Sequence, residues 1–150
     1  MHVRNVLDSD LNAITALILL CSEKYILPDF SDEGVAAYRA SHSLEKMKER
    51  IQMYDYQVLV NESDQIFGVV GMQPVSHLFH LHVDPKAHGQ GLGRQLWEHA
   101  KKSVLSKSQT EFFTVNSSIY AVPFYQKLGF VPGLQEIKNG VKFVPMKMEL

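Results

Sequence analysis

The sequence predicts a mixed α/β fold, of the α+β kind, with about seven strands and about four helices. Three observations predict it: an apolar helical pattern opens the chain, alternating strand patterns fill its middle, and a glycine-rich loop separates a strand from a long helix. The chain has 150 residues, of which 45% are hydrophobic, enough to bury a core. We therefore expect a single domain over residues 1–150.

Charge and cysteine content argue against several classes of protein. A net charge of −1 gives no support to a nucleic-acid-binding surface. The one cysteine, Cys21, follows the apolar stretch Ala16–Leu20, which favours a buried packing residue over an acyl-carrying thiol. Asp8 and Asp10 precede that stretch where a signal peptide would be basic, and it is shorter than the ~20 residues that span a bilayer. We expect a cytoplasmic protein with neither nucleic-acid nor membrane partners.

A short strand and three helices are predicted before the main run of strands. The strand His2–Val6 is followed by capping residues at Asp8–Asp10 and an apolar helix to about Lys24. A second helix is expected to start at Ser31–Glu33 and a third to span Leu44–Met53. The buried face of the third helix should comprise Leu44, Met47 and Ile51.

Strands and one long helix follow. Gln57–Asn61 and Ile66–Met72 are expected to form an antiparallel pair, and Ser76–Val83 a third strand. The long helix should span about Gly91–Lys107. Its buried stripe is predicted at Leu92, Leu96, Ala100 and Val104, which are spaced by four.

The last part of the chain is predicted to alternate between strand and helix. Glu111–Val115 should be a strand and Ile119–Lys127 a short helix closed by Gly129. The segments Val131–Lys138 and Val141–Met148 flank Asn139-Gly140, a strong two-residue hairpin signal.

The loop His88–Gly93 joins a predicted strand to a predicted helix and carries three alternating glycines. Helix N-termini expose unpaired N–H groups, and glycines let the backbone approach a ligand closely. A P-loop would need a lysine that is absent, and Arg94 stands where the dinucleotide fingerprint needs glycine. A basic residue followed by x-x-Gly-x-Gly does fit, so we expect a pyrophosphate cradle.

This strand–loop–helix resembles the acetyl-CoA motif of the GNAT acetyltransferase superfamily, most closely over Ser76–Phe130. The resemblance implies a central, mostly antiparallel sheet with a splayed strand pair. In such proteins the loop N–H groups hold the pyrophosphate, and the main chain of the preceding strand pairs with pantetheine. Cofactor-binding roles are thereby implied for Leu81, His82, Val83, His88, Gly89, Gln90, Gly91, Leu92, Gly93 and Arg94. His88 is a departure, because the family usually has Arg or Gln there.

A second segment, Asn116–Phe130, is similar to the family pattern Asn-x-x-Ala-x-x-Phe-Tyr-x-Lys-x-Gly-Phe. Ser118 occupies the usual Asn position, so either Ser118 or Asn116 is expected to contact pantetheine. The resemblance also places Phe124 and Tyr125 at the cofactor. A phenol of pKa ~10 can protonate a departing thiolate whose thiol has a pKa ~8.5, which makes Tyr125 a catalytic candidate.

Three histidines lie on the strand before the loop. In a regular strand His80 and His82 share one face and His77 lies on the other. An amine attacks only when neutral, and histidine is suited to accept its proton near neutral pH. The resemblance places a Glu or His base at the position of His77, our first choice, with His80 second, and implies a bulge in this strand. No further ligand is evident, so no metal is expected.

The sequence therefore predicts an N-acetyltransferase that moves an acetyl group from acetyl-CoA, as co-substrate, to a primary amine by direct attack in a ternary complex. The acceptor is expected to be a small-molecule or peptide amine. The sequence leaves open whether the chain forms a homodimer. The alternative is a non-catalytic CoA-binding sensor or a His-based metal-binding module. Tyr25–Ser43 should shape the acceptor pocket. Candidates to meet a cation there are Tyr25, Asp29, Phe30, Asp32 and Glu33, although surface helix capping explains the acidic residues equally well.

Overall fold

The computed structural model describes residues 1–150, with eight strands in one sheet and five α-helices. The strands are β1 His2–Asn5, β2 Asp55–Val60, β3 Ile66–Gln73, β4 His77–Val83, β5 Phe112–Ser117, β6 Val131–Pro132, β7 Glu136–Lys138 and β8 Val141–Glu149. The helices are α1 Leu11–Tyr25, α2 Asp32–Ser41, α3 Leu44–Met53, α4 Leu92–Lys107 and α5 Val122–Leu128. This confirms the predicted mixed fold, with one strand and one helix more than expected.

The sheet is antiparallel except at its centre. Strands β1 to β4 pair in sequence order, and β8 pairs with β5, β6 and β7. Strands β4 and β5 are parallel and pair only at His77 with Thr114 and at Leu78 with Val115. Beyond these residues the two strands separate, which confirms the predicted splayed pair.

Helices cover both faces of the sheet. Val58 and Val60 pack in one cluster with α1 and α3, whereas Leu59 packs in the other with α4, because alternate side chains of a strand point to opposite faces. The fully buried Trp97 of α4 meets Phe113 edge-to-face at 5.1 Å in the second cluster. None of the helices is both long and apolar enough to pass through a membrane.

Two predicted buried stripes need correction at their first residue. Leu44 is 50% exposed, whereas Met47 is fully buried. A helical side chain leans toward the preceding turn, and Leu44, as the first residue of α3, has no such turn to pack on. Leu92 likewise lies at the first residue of α4 and is partly exposed, and the buried Trp97 falls outside the spacing of four.

The predicted hairpin is confirmed, but its first strand is interrupted. Asn139 and Gly140 have φ values of 51° and 79°, as a type I′ turn requires. After β6 the N–H of Gly133 donates to the carbonyl of Pro145 at 2.7 Å, and pairing resumes at β7. The turn docks on the start of α2, where the Ser31 N–H donates to the Gly140 carbonyl at 3.2 Å.

Candidate active site

A cavity of about 1190 Å³ lies where β4 and β5 separate, walled by α1, α2, α5, the glycine loop and the β7–β8 hairpin. All but one of the predicted site residues line it. These are His77, His80, Leu81, His82, Val83, His88, Gly89, Gly91, Leu92, Gly93, Arg94, Asn116, Ser118, Phe124 and Tyr125. The exception is Gln90, which is exposed outside the cavity wall.

The glycine loop has the backbone geometry of an open cradle. Gly89 and Gly91 have φ values of +80° and +75°, and a Cβ at either position would meet no atom within 4 Å. Gly93 differs, because its Cβ would lie 3.0 Å from the ring of Phe124. Helix α4 begins at Leu92, so its first N–H groups lack partners within the helix. The loop can therefore accept an anion close to its main chain.

Two positively charged side chains line the cavity close to each other. Arg94 and Lys127 both line it, and one guanidinium nitrogen of Arg94 donates to the Lys127 carbonyl at 3.1 Å. This bond ties the start of α4 to the last turn of α5. The positive charge of the cradle side is thus held near the helix N-terminus.

The main chain of β4 presents a free edge to the cavity. The Asp84 N–H donates to the Phe67 carbonyl at 2.8 Å, so Val83 belongs to a non-hydrogen-bonded pair and its own N–H and C=O point away from β3. Leu81, two residues earlier, points the same way, at a level where β5 has already separated. Leu81 can therefore pair with an extended ligand.

The carbonyl of Val83 is already an acceptor. His88 Nε2 lies 2.7 Å from it and Cys21 Sγ 3.4 Å from it. The His88 ring also stacks on Tyr25, which in turn stacks on Tyr120, with centroid distances of 5.6 and 4.4 Å. The His88 side chain thus links the glycine loop to the end of β4 and to Tyr25 at the end of α1.

Cys21 itself is 3% exposed, and burial raises its pKa to about 11. A thiol with a raised pKa is a poor nucleophile at neutral pH. The geometry supports the sequence-based interpretation of Cys21 as a packing residue.

Asn116 and Ser118 differ in whether their side chains already make hydrogen bonds within the chain. The Ser118 hydroxyl accepts a hydrogen bond from the Ala121 N–H at 3.2 Å, so it is engaged in the turn before α5. The Asn116 side chain lines the cavity and makes no hydrogen bond within the chain. Of the two residues that the sequence left open, Asn116 has the amide free for a ligand.

Tyr125 sits on α5 at the cavity wall. It is 6% exposed, and its ring meets Phe124 and Phe130 edge-to-face at 5.2 and 5.7 Å. Burial raises the pKa of its phenol above the usual 10. The hydroxyl therefore stays protonated at neutral pH and can act as a donor.

A bulge at Phe79 brings the three strand histidines to one face. His80 pairs with Gly71 and Leu78 with Met72, so Phe79 is the extra residue, as the family resemblance implied. Leu78 packs with α4, whereas His80 bonds to residues on the opposite face. In a regular strand His77 would lie across from His80 and His82, but the bulge reverses the alternation and puts all three on one face.

His80 is fully committed to a buried hydrogen-bond chain. Its Nε2 lies 2.9 Å from His42 Nε2, and its Nδ1 lies 2.8 Å from the Tyr56 hydroxyl. His42 Nδ1 lies 2.8 Å from the Tyr38 carbonyl, which can only accept. His42 must therefore donate from Nδ1 and accept at Nε2, so His80 donates from Nε2 and accepts the Tyr56 hydroxyl proton at Nδ1.

Four of the cavity histidines are held neutral by burial. Burial lowers the pKa of His42 and His82 to about 4, lowers that of His80 well below 6.5, and also lowers that of His77. His77 differs from His80 in having only one polar partner, the Thr114 hydroxyl, 2.8 Å from its Nδ1. When Nδ1–H donates to Thr114, Nε2 keeps a lone pair available for a proton.

The segment Tyr25–Ser43 does shape the cavity, which it lines with Tyr25, Ile26, Phe30, Ala37, Tyr38, Ser41 and His42. Of the two explanations that the sequence left open for the acidic residues, the structure favours helix capping, because Asp29, Asp32 and Glu33 lie outside the cavity wall. Asp32 and Glu33 form the exposed first turn of α2, which Ser31 caps. Acidic residues favour that position because of the helix dipole, without any ligand.

A model of the "Acetyltransferase (GNAT) domain" family matches residues 26–150. The chain therefore belongs to the GNAT acetyltransferase family. It is 38% identical over 91 residues to the peptidyl-lysine N-acetyltransferase YjaB of Escherichia coli K12. That match covers 59% of this chain and 58% of the relative.

Solved structures agree on the fold. A GCN5-related N-acetyltransferase from Rhodopseudomonas palustris superposes with a TM-score of 0.87 at 21% identity, covering 99% of this chain and 95% of the other. PaiA N-acetyltransferase from Thermoplasma acidophilum, in complex with coenzyme A, has a TM-score of 0.80 at 17% identity, covering 99% and 98%.

Proposed function

We propose that this chain transfers an acetyl group from acetyl-CoA to a primary amine, by direct attack while both are bound. The observation that carries the proposal is that the glycine cradle, the free edge of β4 and Tyr125 line one cavity. The names of the relatives support it: one is a peptidyl-lysine N-acetyltransferase, and another structure contains coenzyme A. We extend the proposal to residues 1–150 as a single catalytic domain.

Acetyl-CoA supplies an acetyl group activated as a thioester, and the cleft offers a partner for each part of it. The N–H groups of Gly89–Arg94 bind the pyrophosphate at the N-terminus of α4. The main chain of Leu81 pairs with the pantetheine arm, and the Asn116 amide provides a second contact from β5. Phe124 packs beneath Gly93 and supports the start of the helix.

The residues around the thioester divide the chemistry between them. His77 Nε2, directly or through water, accepts the proton of the attacking amine. A main-chain N–H at Leu81 or Val83 stabilises the oxyanion. Tyr125 donates its phenolic proton to the departing thiolate. His80, with both ring nitrogens engaged, holds the cavity residue His42 and the buried Tyr56 by hydrogen bonds.

The alternative function is a CoA-binding sensor without turnover, or a His-based metal-binding module. The occupied nitrogens of His80 weigh against the metal module, because a ligand needs a free lone pair. A sensor would bind CoA but would release no thiol from acetyl-CoA with any amine. A thiol-release assay over a panel of amines therefore separates the enzyme from the sensor.

CoA and acetyl-CoA are expected to bind without added metal, and ATP and NAD to bind far more weakly. The glycine cradle lacks a P-loop lysine, so ATP should bind weakly. The free strand edge beside the cradle suits pantetheine, which only CoA and acetyl-CoA carry. Isothermal titration calorimetry with the four ligands, with and without EDTA, measures this. Tight binding of ATP or NAD with no binding of CoA would refute the assignment of the cradle.

His77→Ala is expected to change the pH profile of kcat/KM. Because burial lowers the pKa of His77 below 6.5, the wild-type base is neutral at pH 7 and is lost as the pH falls through that pKa. The variant should lose this acidic limb and recover part of its rate at high pH, where more of the amine is neutral. CoA affinity should stay unchanged.

His80→Ala is the matched comparison on the same strand. It removes a partner from both His42 and Tyr56, so it should lower the melting temperature while the acidic limb is retained. If His80→Ala abolishes the limb and His77→Ala retains it, the base is assigned to the wrong residue. If both variants keep it, the proton leaves through water alone.

A further inference from the structure

The wall of the cavity contains no aspartate and no glutamate. A site built for a polyamine or a lysine ammonium would desolvate a cation, and a buried cation needs a carboxylate or comparable partner. Five histidines line the wall; burial keeps His42, His77, His80 and His82 neutral, and none of the five supplies negative charge. The cavity therefore does not select its acceptor by binding a positive charge.

The β7–β8 hairpin adds positive charge to the cavity wall. Lys138 and Lys142 flank the turn of the β7–β8 hairpin, and both line the cavity. The Gly140 carbonyl between them accepts from Ser31 on α2, which fixes the hairpin to the helix that bears Tyr38 and His42. Neither lysine belongs to an ion pair, and Lys142 is half-buried. An ammonium that has no counter-ion and lies on a cavity wall can bind an anionic group through charge-assisted hydrogen bonds.

Aromatic side chains line the same cavity as the lysines and the histidines. Phe30, Tyr38, Phe79 and Phe143 all line the cavity, and Lys138 Nζ lies 5.9 Å from the Phe143 ring centroid. Such walls bury an apolar body and leave orientation to a few polar groups. The acceptor that fits has an apolar body with an anionic group on one end.

We propose that the acceptor of this enzyme is an amine that also carries a carboxylate, with Lys142 binding the carboxylate and Lys138 assisting it. A free amino acid with an aromatic side chain is the simplest molecule of this class. The inference rests on the proposed acetyl transfer, since it names the acceptor of that same cavity. The acceptor carboxylate provides the negative charge that the wall lacks.

A matched set of acceptors tests the need for the carboxylate. Phenylalanine, phenylalanine amide and phenethylamine share one aromatic body, and spermidine represents a polycation. Each is tested with acetyl-CoA by detection of released thiol. Phenylalanine is expected to exceed phenethylamine and spermidine at least tenfold in kcat/KM. Equal or faster turnover of phenethylamine or spermidine would overturn the inference, as would acetyl-CoA binding with turnover of no acceptor.

Lys142→Gln tests the lysine itself. It should raise the KM for phenylalanine about tenfold, leave the KM for phenethylamine unchanged, and leave the Kd of CoA unchanged. Lys147→Gln is the control, because Lys147 lies on the same strand β8 but is exposed outside the cavity. A loss of CoA affinity in Lys142→Gln would overturn the inference, since the lysine would then serve the cofactor phosphates.

Binding measurements separate this inference from the acetyl transfer on which it rests. N-acetylphenylalanine should bind to the CoA complex more tightly than N-acetylphenethylamine, without any turnover. If acetyl-CoA fails to bind and no acceptor releases thiol, the proposed function fails. If acetyl-CoA binds and the two acetylated products bind equally, only the acceptor inference fails.

Discussion

Replacing Tyr125 by phenylalanine is expected to lower kcat roughly 10²–10⁴-fold, the range for loss of a proton-transfer group. The ring keeps its edge-to-face contacts with Phe124 and Phe130, so the packing is preserved. Because burial keeps the phenol protonated, the wild-type profile should show no alkaline limb from Tyr125 below pH ~10. Steady-state kinetics with saturating acetyl-CoA and the best acceptor measure the effect.

Tyr120→Phe is the matched control for Tyr125→Phe. Tyr120 also lines the cavity, but it is 59% exposed and stacks on Tyr25 at the rim. Loss of its hydroxyl should leave kcat nearly unchanged. If Tyr125→Phe also keeps the wild-type kcat, another donor or water protonates the thiolate.

The second large effect is expected for Gly91→Val. A valine side chain would project into open space at the cradle, where it blocks the approach of phosphate to the N–H groups. CoA affinity should fall more than about thirtyfold, equivalent to ~2 kcal/mol, the scale of lost charge-assisted hydrogen bonds. Calorimetric titration with CoA gives the number.

Backbone strain accompanies that substitution, because φ at Gly91 is +75°. Gly129→Ala is the control, since φ there is +110° and the residue lies outside the cavity. Both variants should lose thermal stability, but only Gly91→Val should lose CoA affinity. Unchanged CoA affinity in a folded Gly91→Val protein would show that the loop does not contact the phosphates.

Features encoded by neighbouring residues could be predicted from the sequence. The Asn139-Gly140 turn, the glycine loop and the closing Gly129 each depend on backbone angles that few residue types tolerate. The cradle could also be located from the sequence, because its strand, its glycines and its helix follow one another along the chain.

Features that join distant parts of the chain could not be predicted in this way. His42 ends α2 and gives no local signal, yet it bonds to His80, 38 residues away. One extra residue at Phe79 puts His77 on the face opposite to the one that regular strand alternation gives, and the sequence around it does not show where the extra residue falls. The missing carboxylates depend equally on tertiary structure, since Asp29 and its acidic neighbours lie in the right segment but outside the cavity.

The separation of β4 and β5 also bears on how the molecule is held together. Two residue pairs join the half-sheet of β1–β4 to the half-sheet of β5–β8. An extended ligand that bonds to the free edge of β4 acts as a partial strand of the sheet, in the manner of β-augmentation. A ligand that binds there would therefore stabilise the folded chain, because it would join the two half-sheets while it is bound.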